Sequence, residues 1–371
     1  MIMYLKQLKL INFKNCAGEE FEFSDRINCF AGNNGTGKTN ILDAIYYLSF
    51  CKSYFNPVDM QNIKHGEDFF AIHGTYLRNN DQEEKLSCLQ QRSQRKKFKC
   101  NGKEYERLAD HIGLFPLVMV SPYDRDLIND GSEIRRRLID SIISQFNRLY
   151  LDDLISYNKA LQHRNSLIRD MADQKTVNRT SLEIWDEQLS RLGAIIMSAR
   201  REFNEGFVPL FRKYYSFISG EEEDVNVEYD SDLLNNDLSE LLQSSLERDL
   251  ALKYTTRGIH KDDLRFTING YPVKKFGSQG QQKSFVLALR LAQYDYISDL
   301  KGYKPIILLD DIFDKLDEKR VQQIIQLVGN NNFGQVFITD TQNERIESIF
   351  RSTDIEYRIF EIENGKKLSS R

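Results

Sequence analysis

The residue types best able to do chemistry lie in one short loop near the start of the chain. Residues 32–39 fit G-x-x-x-x-G-K-[ST], the pattern of the phosphate-binding loop. In that pattern backbone N–H groups surround phosphate oxygens, Lys38 reaches the β- and γ-phosphates, and the Thr39 hydroxyl binds Mg²⁺. The candidate nucleotide-binding residues of the loop are Gly32, Asn33, Asn34, Gly35, Thr36, Gly37, Lys38 and Thr39.

The flanking segments predict the strand–loop–helix context that a phosphate-binding loop requires. The apolar run 27–31 precedes the loop, and Ile41, Leu42, Ile45 and Leu48 follow it at helical spacing. A glycine turn that arose by chance would not need this context. We therefore predict a site for a nucleoside triphosphate, with ATP and Mg²⁺ as the expected ligands.

Two adjacent carboxylates form a second candidate group. The apolar run 306–309 predicts a buried strand, and Asp310 and Asp311 follow it directly. Such carboxylates face the crevice in which parallel sheets bind ligands. We expect Asp310 to bind Mg²⁺ with Thr39, through water, and Asp311 to act as a base or to orient water. A loop or helix cap could also place two aspartates here, but Lys38 upstream favours catalysis. The candidate catalytic residues are Lys38, Asp310 and Asp311.

The distance between the two groups along the chain predicts an insertion. About 270 positions separate Lys38 from Asp310, whereas a compact phosphate-loop domain is complete within about 150–200 residues. From 134 to 217, apolar residues recur at spacings of three and four, which predicts long helices around a polar loop at 173–178. We therefore expect an α/β fold split by a helical arm, with segments 1–125, 126–255 and 256–371. A small GTPase or a kinase is excluded by this spacing.

Short apolar patterns in the first segment predict antiparallel strands. Leu8 and Leu10 lie on one face of a first strand, and 69–77 reads as a strand with a break at Gly74. Residues 86–89 are expected to pair with 97–100 across a basic turn. The last third alternates strand, helix and strand, which predicts a parallel pair formed by 306–309 and 336–338.

Composition limits the class of protein. The chain has 371 residues, of which 40% are hydrophobic and 29% charged, and no apolar run approaches the ~20 residues that span a bilayer. The first residues carry no long apolar segment of the kind found in secretory signals. Five cysteines without a C-x-x-C motif indicate reduced thiols. We therefore expect a cytoplasmic protein without a membrane partner.

Net charge does not by itself indicate nucleic-acid binding, because it is −4 at pH 7. Local basic clusters do occur, at 92–99, at Arg135, Arg136 and Arg137, and at 274–275. Such clusters are more often solvated surface than phosphate contacts. The arginine triplet is the candidate DNA-binding group.

A further candidate anion site lies between the two halves of the predicted sheet. A helical pattern follows the segment 276–283, and Ser278 is expected to be the N-cap of that helix. A glycine-containing helix start offers exposed N–H groups to an anion. The run Ser-Gln-Gly-Gln-Gln at 278–282 resembles the signature motif of ATP-binding-cassette heads in the DNA-repair and chromosome-maintenance branch. Within that branch the chain resembles the RecF family of recombination mediators.

Several other stretches carry the same resemblance, and together they span nearly the whole chain. They are the opening 4–15, the Ser-Pro-Tyr-Asp run 121–124 with the arginine-rich 135–140, the Gly-Ile-His-Lys-Asp-Asp run 258–263, and 309–317, which resembles a Walker B motif and D-loop.

The resemblance implies an ABC-type ATPase head. Its mixed sheet would hold the phosphate loop, an antiparallel β-subdomain would lie in the N-terminal part, and a helical arm or lid would be inserted. The head would dimerise around ATP, with Ser278, Gln279, Gly280 and Gln281 of one copy capping the γ-phosphate held by Lys38 of the other.

The resemblance also implies a role in recombinational repair. Family members bind duplex DNA near single-strand gaps without sequence preference. They promote RecA loading through a RecR-like mediator and RecO, and support replication restart and the SOS response. Hydrolysis is expected to be slow and DNA-stimulated, a switch rather than a motor, because Asp311 is shorter than the Glu usual in cassette heads.

Three alternatives remain open from the sequence. One is another SMC-like repair ATPase head, although the short arm and the lack of a Cys-x-x-Cys hook argue against it. A second is a transporter-type ABC ATPase, which would need a membrane partner. The third is a DNA clamp that binds ATP without cleaving it.

Overall fold

The computed structural model of the chain describes residues 3–78, 82–220, 223–312, 318–329, 333–342 and 356–370. The chain forms two compact units. The sheet unit comprises Met1–Arg125, Tyr214–Glu221 and Lys283–Arg371, and the arm unit comprises Asp126–Lys213 and Glu222–Gln282. The arm unit begins where the sequence predicted an insertion and continues past 255 to Gln282. The three-segment division stays a prediction about domains.

The strands of the described residues are, in chain order, β1 (Met3–Phe13), β2 (Cys16–Glu22), β3 (Ile27–Ala31), β4 (Phe69–Arg78), β5 (Gln82–Gln91), β6 (Lys97–Cys100), β7 (Lys103–Glu104), β8 (Leu117–Val120), β9 (Val225–Asp230), β10 (Asp263–Ile268), β11 (Tyr271–Pro272), β12 (Ile306–Leu309), β13 (Val336–Asp340), β14 (Tyr357–Glu363) and β15 (Lys366–Ser370). The helices are α1 (Lys38–Phe50), α2 (Asp126–Asn129), α3 (Ser132–Phe146), α4 (Arg148–Gln174), α5 (Thr180–Ser219), α6 (Leu238–Ser244), α7 (Leu246–Leu252), α8 (Val273–Phe276), α9 (Gln279–Lys301) and α10 (Glu318–Gly329).

A mostly parallel sheet forms the centre of the sheet unit, in the order β15-β14-β3-β13-β12-β8. Strands β14, β3, β13, β12 and β8 run parallel, so their carboxyl ends meet at one edge. The predicted pair of β12 and β13 is confirmed, with Leu308 opposite Phe337. Strands β3, β8, β12 and β13 are buried along their whole length, as expected of a sheet covered on both faces.

A second, antiparallel sheet carries the order β2-β1-β4-β5-β6-β7. It alternates buried and more exposed positions, with Leu8 and Leu10 buried, as the sequence predicted. The predicted pairing of β5 with β6 is confirmed by Leu86 opposite Cys100. The predicted break at Gly74 is wrong, because β4 continues through it with Gly74 paired to both Leu8 and Leu86. A Cβ there would lie 2.5 Å from Leu48 Cδ1, so close packing on α1 accounts for the glycine.

Helix α1 packs between the two sheets. It contacts β1, β4 and β5 of the antiparallel sheet, and β8 and β13 of the parallel sheet. Every residue from Ile41 to Phe50 is buried, which is the pattern of a helix covered on all sides. The phosphate loop therefore leads into a helix that is fixed by both sheets.

The arm unit combines the long helices α4 and α5 with a small sheet in the order β11-β10-β9. Its interior contains buried ion pairs: Arg200 bonds to Asp262 at 2.8 Å and to Asp140 at 2.9 Å, and Arg164 bonds to Asp249 at 2.7 Å. Buried charges of this kind require such partners. The predicted loop between long helices is confirmed, although α4 extends to Gln174. Within the described ranges, no helix is both long and apolar enough to cross a bilayer.

Buried His111 links the antiparallel sheet to the end of α1. Its Nε2 lies 2.6 Å from the carbonyl oxygen of Leu48, and its Nδ1 lies 3.1 Å from the Tyr105 hydroxyl. The ring therefore donates from Nε2 to one of the last carbonyls of α1 and accepts at Nδ1. Burial lowers the pKa of His111 to about 4.

Lowering the pH should destabilise the protein through His111. In the unfolded chain a histidine binds a proton below about pH 6.5, but folded His111 stays neutral until about pH 4. The contribution of neutral His111 to the free energy of unfolding is therefore fully present above about pH 6.5. It is lost as the pH falls toward 4, by up to about 3 kcal/mol. Urea unfolding at several pH values should show a shallower pH slope for His111→Gln. His65→Gln, at an exposed histidine, should keep the original slope; equal slopes for all three proteins would contradict the assignment.

Candidate nucleotide-binding site

The phosphate loop connects the buried strand β3 to helix α1. Gly37 precedes the helix with φ 108°, a left-handed conformation that glycine adopts readily. Its substitution would also place a Cβ 2.5 Å from Nδ2 of Asn15. Helix α1 begins at Lys38, and its first turn contains no acidic residue. The positive end of the helix dipole therefore faces the loop without a competing carboxylate.

Lys38 lies across the loop. Its Nζ donates to the carbonyl oxygens of Gly32 at 2.6 Å and Asn33 at 2.9 Å, and the side chain is buried. These contacts hold the ammonium group on the side of the loop where a phosphate would bind. Contact of Lys38 with the β- and γ-phosphates stays a prediction.

Thr39 meets Asp310 directly, although the two residues are 271 positions apart. The Thr39 hydroxyl donates to Asp310 Oδ1 at 2.9 Å, and the Thr339 hydroxyl donates to the same oxygen at 2.8 Å. Burial raises the pKa of Asp310, and the two hydroxyl bonds oppose that rise. The carboxyl edge of the parallel sheet therefore brings the two predicted groups together.

The donor set fits Mg²⁺. Thr39 and Asp310 supply a hydroxyl and a carboxylate, the hard oxygen ligands that Mg²⁺ prefers. No cluster of three or more His, Cys, Asp or Glu side chains that could hold a metal occurs in the described part of the chain.

Asp311 follows in a left-handed conformation, with φ 49°. Its N–H donates to the Thr339 hydroxyl at 2.8 Å, which stabilises a backbone geometry that non-glycine residues rarely adopt. Asp311 also lines a cavity together with Asp310, Lys283 and Arg125. A half-buried carboxylate beside Asp310 can orient water or accept a proton.

Two polar residues near the loop were not identified as functional residues from the sequence. The first is Asn15, whose Nδ2 donates to the Thr36 carbonyl at 3.2 Å and whose Oδ1 accepts from Asn40 at 2.8 Å. The Gly365 N–H donates to the same Thr36 carbonyl at 2.7 Å. The turn after β1 and the turn between β14 and β15 thus hold the phosphate loop from two sides. Thr339 is the second missed residue, since its hydroxyl bonds to both aspartates. The hydrogen bonds of Asn15 and of Thr339 join residues that are far apart along the chain, so no local sequence pattern indicates them.

The Ser-Pro-Tyr-Asp run that follows β8 has a structural role. Asp124 accepts from the backbone N–H of Ser121 at 2.9 Å and from Arg290 Nε at 3.1 Å, and it also bonds to Tyr54. Burial lowers the pKa of Arg290, but the Asp124 carboxylate and the other groups around it outweigh that effect and hold the pKa above that of an ordinary arginine. This network ties α9 to the strand next to β12 and fixes the edge that carries Asp310.

The signature-like residues Ser278, Gln279, Gly280 and Gln281 lie at the start of α9, in the arm unit. Ser278 Oγ accepts from the Gln281 N–H at 3.2 Å, and Gln281 Oε1 accepts from the Ser278 N–H at 2.7 Å. Ser278 is therefore the N-cap, as predicted, and Gln281 completes a capping box that the S-x-x-Q spacing also signals. The amide of Gln281 additionally donates to Glu223.

The arginine triplet divides into two kinds of side chain. Arg135 donates to both carboxylate oxygens of Asp263, at 2.7 and 2.9 Å, and Arg136 donates to the backbone carbonyl that precedes Asp263. Arg137 pairs with Glu133 one turn earlier and is 73% exposed. Contact with DNA stays a prediction for all three, and Arg137 is the member with the exposed side chain. The resembling run 313–317, the expected D-loop, lies outside the described residues.

The chain is similar to known proteins over nearly its whole length. The sequence family described as RecF/RecN/SMC N terminal domain matches residues 4–367. A DNA replication and repair protein RecF from Flavobacterium johnsoniae is 51% identical over 360 residues, which cover 97% of this chain and 100% of that relative.

Solved structures give the same result for the fold. The recombination mediator protein RecF-ATP in the RecFOR pathway has a TM-score of 0.89 at 30% identity, over 99% of this chain and 98% of that one. The Smc head domain from Pyrococcus furiosus, bound to the C-terminal domain of ScpA, has a TM-score of 0.58 at 18% identity, over 100% and 96%. The predicted ABC-type head with an antiparallel subdomain and a helical insertion is confirmed.

Asn15→Ala is expected to weaken ATP binding while leaving the fold intact. It removes two hydrogen bonds around the loop, at about 1 kcal/mol each, so the dissociation constant should rise by up to about thirtyfold. Binding of a fluorescent ATP analogue measures it, alongside thermal unfolding without nucleotide. Asn158→Ala, at an exposed asparagine of the arm unit, is the control. An unchanged dissociation constant for Asn15→Ala would show that Asn15 does not position the loop.

Proposed function

The chain belongs to the RecF family of DNA replication and repair proteins, and from that premise we propose that it is an ATP-dependent DNA-binding protein of recombinational repair. It would dimerise around ATP on duplex DNA near single-strand gaps and use slow hydrolysis as a release switch.

One observation carries the proposal: the 2.9 Å contact between Thr39 and Asp310. A phosphate loop alone is compatible with many activities. Its contact with a buried carboxylate at the end of β12, a parallel strand separated from β3 by β13, supports a site for a metal-bound triphosphate.

Each residue of the site has a proposed role. Lys38 would exchange its contacts to the loop carbonyls for contacts to the β- and γ-phosphates, and Gly32–Thr39 would supply backbone N–H groups. Thr39 and Asp310 would hold Mg²⁺, which when bound neutralises charge on the phosphates. Asp311 would orient the attacking water, and its short side chain favours slow turnover.

The position of the signature residues supports the proposed dimerisation. Ser278 is exposed at the capped start of α9, a 23-residue helix whose first N–H groups can bind an anion. We propose that they meet the γ-phosphate held by a second copy, so that two nucleotides are shared across a symmetric interface. Nucleotide then acts as the link between copies, and its hydrolysis releases them.

Membership of the family supports DNA and partner proteins as binding partners of this chain. The solved relative belongs to the RecFOR pathway by name, which supports a RecR-like mediator and, indirectly, RecO and RecA as partners of this chain. Binding to DNA would be independent of sequence and sensitive to salt, because it relies on phosphate contacts. Arg137 is the first candidate contact, with Arg135 and Arg136 supporting the helix that presents it. Replication restart and the SOS response are the proposed cellular settings.

ATP with Mg²⁺ should convert the protein to a dimer, and Ser278→Arg should abolish the dimer while ATP binding survives. The arginine would fill the space of the shared phosphate without touching the phosphate loop. Sedimentation velocity with a slowly hydrolysed ATP analogue gives the oligomeric state. Ser244→Arg, at an exposed serine of α6, is the matched control and should still dimerise. A monomer at every nucleotide concentration would refute the proposal.

Gapped duplex DNA should stimulate ATP hydrolysis, and Lys38→Met should reduce hydrolysis by about a hundredfold or more, since it removes charge stabilisation of the phosphates. Phosphate release with and without DNA measures both effects, and Lys159→Met, at an exposed arm lysine, is the control. A transporter-type ATPase would hydrolyse ATP without responding to DNA. A clamp that does not cleave ATP would bind the nucleotide and release no phosphate.

A further inference from the structure

The run Gly-Ile-His-Lys-Asp-Asp presents an exposed cation, Lys261, at the surface of the arm unit. The nearby Lys253 pairs with Asp173 at 2.6 Å. Arg257 pairs with Asp232, also at 2.6 Å. Lys261, by contrast, forms no ion pair in the part of the chain that the structure describes. Its ammonium group is therefore available to an anion from outside the chain.

The Lys261 ammonium group lies against an exposed aromatic ring. Its Nζ is 4.7 Å from the centroid of the Tyr254 ring, which is 43% exposed. A cation held over a ring face in this way is restrained without being neutralised. Restraint of a long side chain before binding lowers the entropy that is lost when it contacts an anion. Tyr254 thus positions Lys261 at the surface.

Two arginines add positive charge around Lys261. The pKa of Lys261 is lowered, first by partial desolvation of its ammonium group and then by the charges of Arg136 and Arg248. Arg248 is exposed on α7 and has no ion pair among the described residues. Arg136 is half-buried and donates to two uncharged acceptors, the hydroxyl of Ser132 and the carbonyl of Asp262. We name Arg136, Arg248 and Lys261 the arm cations.

The carboxylates near the arm cations are engaged by other cations. Those whose charges oppose the fall in the pKa of Arg136 all pair with other arginines: Asp262 with Arg200, Asp263 with Arg135 and Glu133 with Arg137. Asp249 opposes the fall in the pKa of Lys261. It shares the buried Arg164 with Asp186, so at most one of these two carboxylates is left uncompensated.

Glu247 is the carboxylate next to Arg248 in the sequence, but it lies on another side of α7. Successive residues of a helix point in different directions, and Glu247 lines a cavity with Val177 and Asn178 of the loop between α4 and α5. Arg248 instead lies close enough to Lys261 to lower the pKa of that residue. The arm cations therefore keep an excess of positive charge.

The turn that carries Lys261 is rigid, so this charge is in place before a ligand binds. Gly258 has φ 123°, and a Cβ there would lie 2.4 Å from the Tyr157 hydroxyl oxygen. That hydroxyl lies 3.0 Å from Nδ1 of His260, and Nε2 of His260 donates to the Thr255 carbonyl at 3.0 Å. The Lys261 N–H donates to the Gly258 carbonyl at 2.8 Å. Little backbone entropy is therefore left to lose on binding.

We infer that the arm cations form a phosphate-contacting surface for DNA, in which Lys261 and Arg248 bind backbone oxygens and Arg136 adds charge behind them. The inference rests on the proposed function, because it specifies which surface of the arm unit meets the DNA. Separate exposed cations suit a polyanion, since one ligand with repeating charges can engage both at once. Such contacts carry no base information, which agrees with binding that is independent of sequence. An acidic protein segment is the other polyanion, and poly-glutamate serves as its probe.

Neutralising both exposed cations should weaken DNA binding and flatten its dependence on salt. Lys261→Gln with Arg248→Gln should lower the affinity for a gapped duplex about tenfold at about 0.1 M salt. The slope of log affinity against log salt concentration should fall by about two, one for each phosphate contact that is lost. Fluorescence anisotropy measures both quantities with the full chain, constant Mg²⁺ and a slowly hydrolysed ATP analogue. Lys253→Gln, at the lysine already paired with Asp173, is the matched control and should change neither.

The results separate this inference from the proposed function. If the unaltered chain binds DNA and the double variant keeps the same affinity and slope, the surface is wrong and the proposed function stands. A fall in affinity with an unchanged slope would also overturn the surface, because the loss would not come from phosphate contacts. If the unaltered chain does not bind gapped DNA, both are overturned. Loss of poly-glutamate binding with DNA binding intact would assign the surface to an acidic protein segment instead. Circular dichroism checks folding.

Tyr254 has its own test as the residue that positions Lys261. Tyr254→Leu should weaken DNA binding about threefold without changing the slope, because the ammonium group remains but is no longer restrained. Tyr254→Phe keeps the ring face and should bind DNA as the unaltered chain does. An unchanged affinity for Tyr254→Leu, or equal weakening by both substitutions, would contradict this role of the ring.

Chemical modification of lysines gives a second measurement of the contact. Because its pKa is lowered, the Lys261 amine is the more readily acetylated by an N-hydroxysuccinimide ester, and mass spectrometry reads its modification directly. Gapped DNA should protect Lys261 and leave Lys253 and the exposed Lys159 as reactive as before. Equal reactivity of Lys261 with and without DNA would rule out the contact.

Discussion

The hydrogen bond between Thr39 and Asp310 is the contact on which the nucleotide site depends. It joins residues 271 positions apart, and it forms because β3, β13 and β12 are parallel neighbours with a common carboxyl edge. Thr339, at the end of the strand between them, donates to the same carboxylate oxygen. The start of α1 after β3, the strand β13 and the residue that follows β12 therefore each contribute one residue to this contact. Any change that shifts one strand along its neighbour would separate the hydroxyls from the carboxylate.

The arm unit is organised by a different physical constraint, the burial of charge. Arg200 is almost fully buried and bonds to Asp140, Asp262 and the Ile259 carbonyl, and His260 bonds to Tyr157 and the Thr255 carbonyl. Isolated buried charges are costly, so these partners must all be present together. The run 258–263, noticed in the sequence only through resemblance, thus has a structural explanation. Its polar residues connect the long helices to β10, the strand that leads toward the signature segment.

The sequence predicted correctly those elements whose formation depends on residues that are close together along the chain. The strand and helix on either side of the phosphate loop, the buried strand before Asp310 and the N-cap at Ser278 each depend on neighbouring residues, and each was predicted correctly. Gly74 was misread because its reason is tertiary: Leu48 of α1 occupies the space where a side chain would project. Asn15 and Gly365 escaped notice for the same reason, since they meet at the Thr36 carbonyl from opposite parts of the chain. The ion pair between Arg135 and Asp263 could not be read from the charge pattern, and contact between the arginine triplet and DNA stays a prediction.

The shared Thr36 carbonyl has a consequence for biosynthesis. Translation produces the phosphate loop early, but one of the two donors that hold it, the Gly365 N–H, emerges from the ribosome only after the arm and both aspartates have been made. Strand β14, which lies beside β3, arrives equally late. A nascent chain therefore cannot assemble a finished nucleotide pocket, and premature termination before the hairpin would leave a product with every recognisable motif and an unsupported loop.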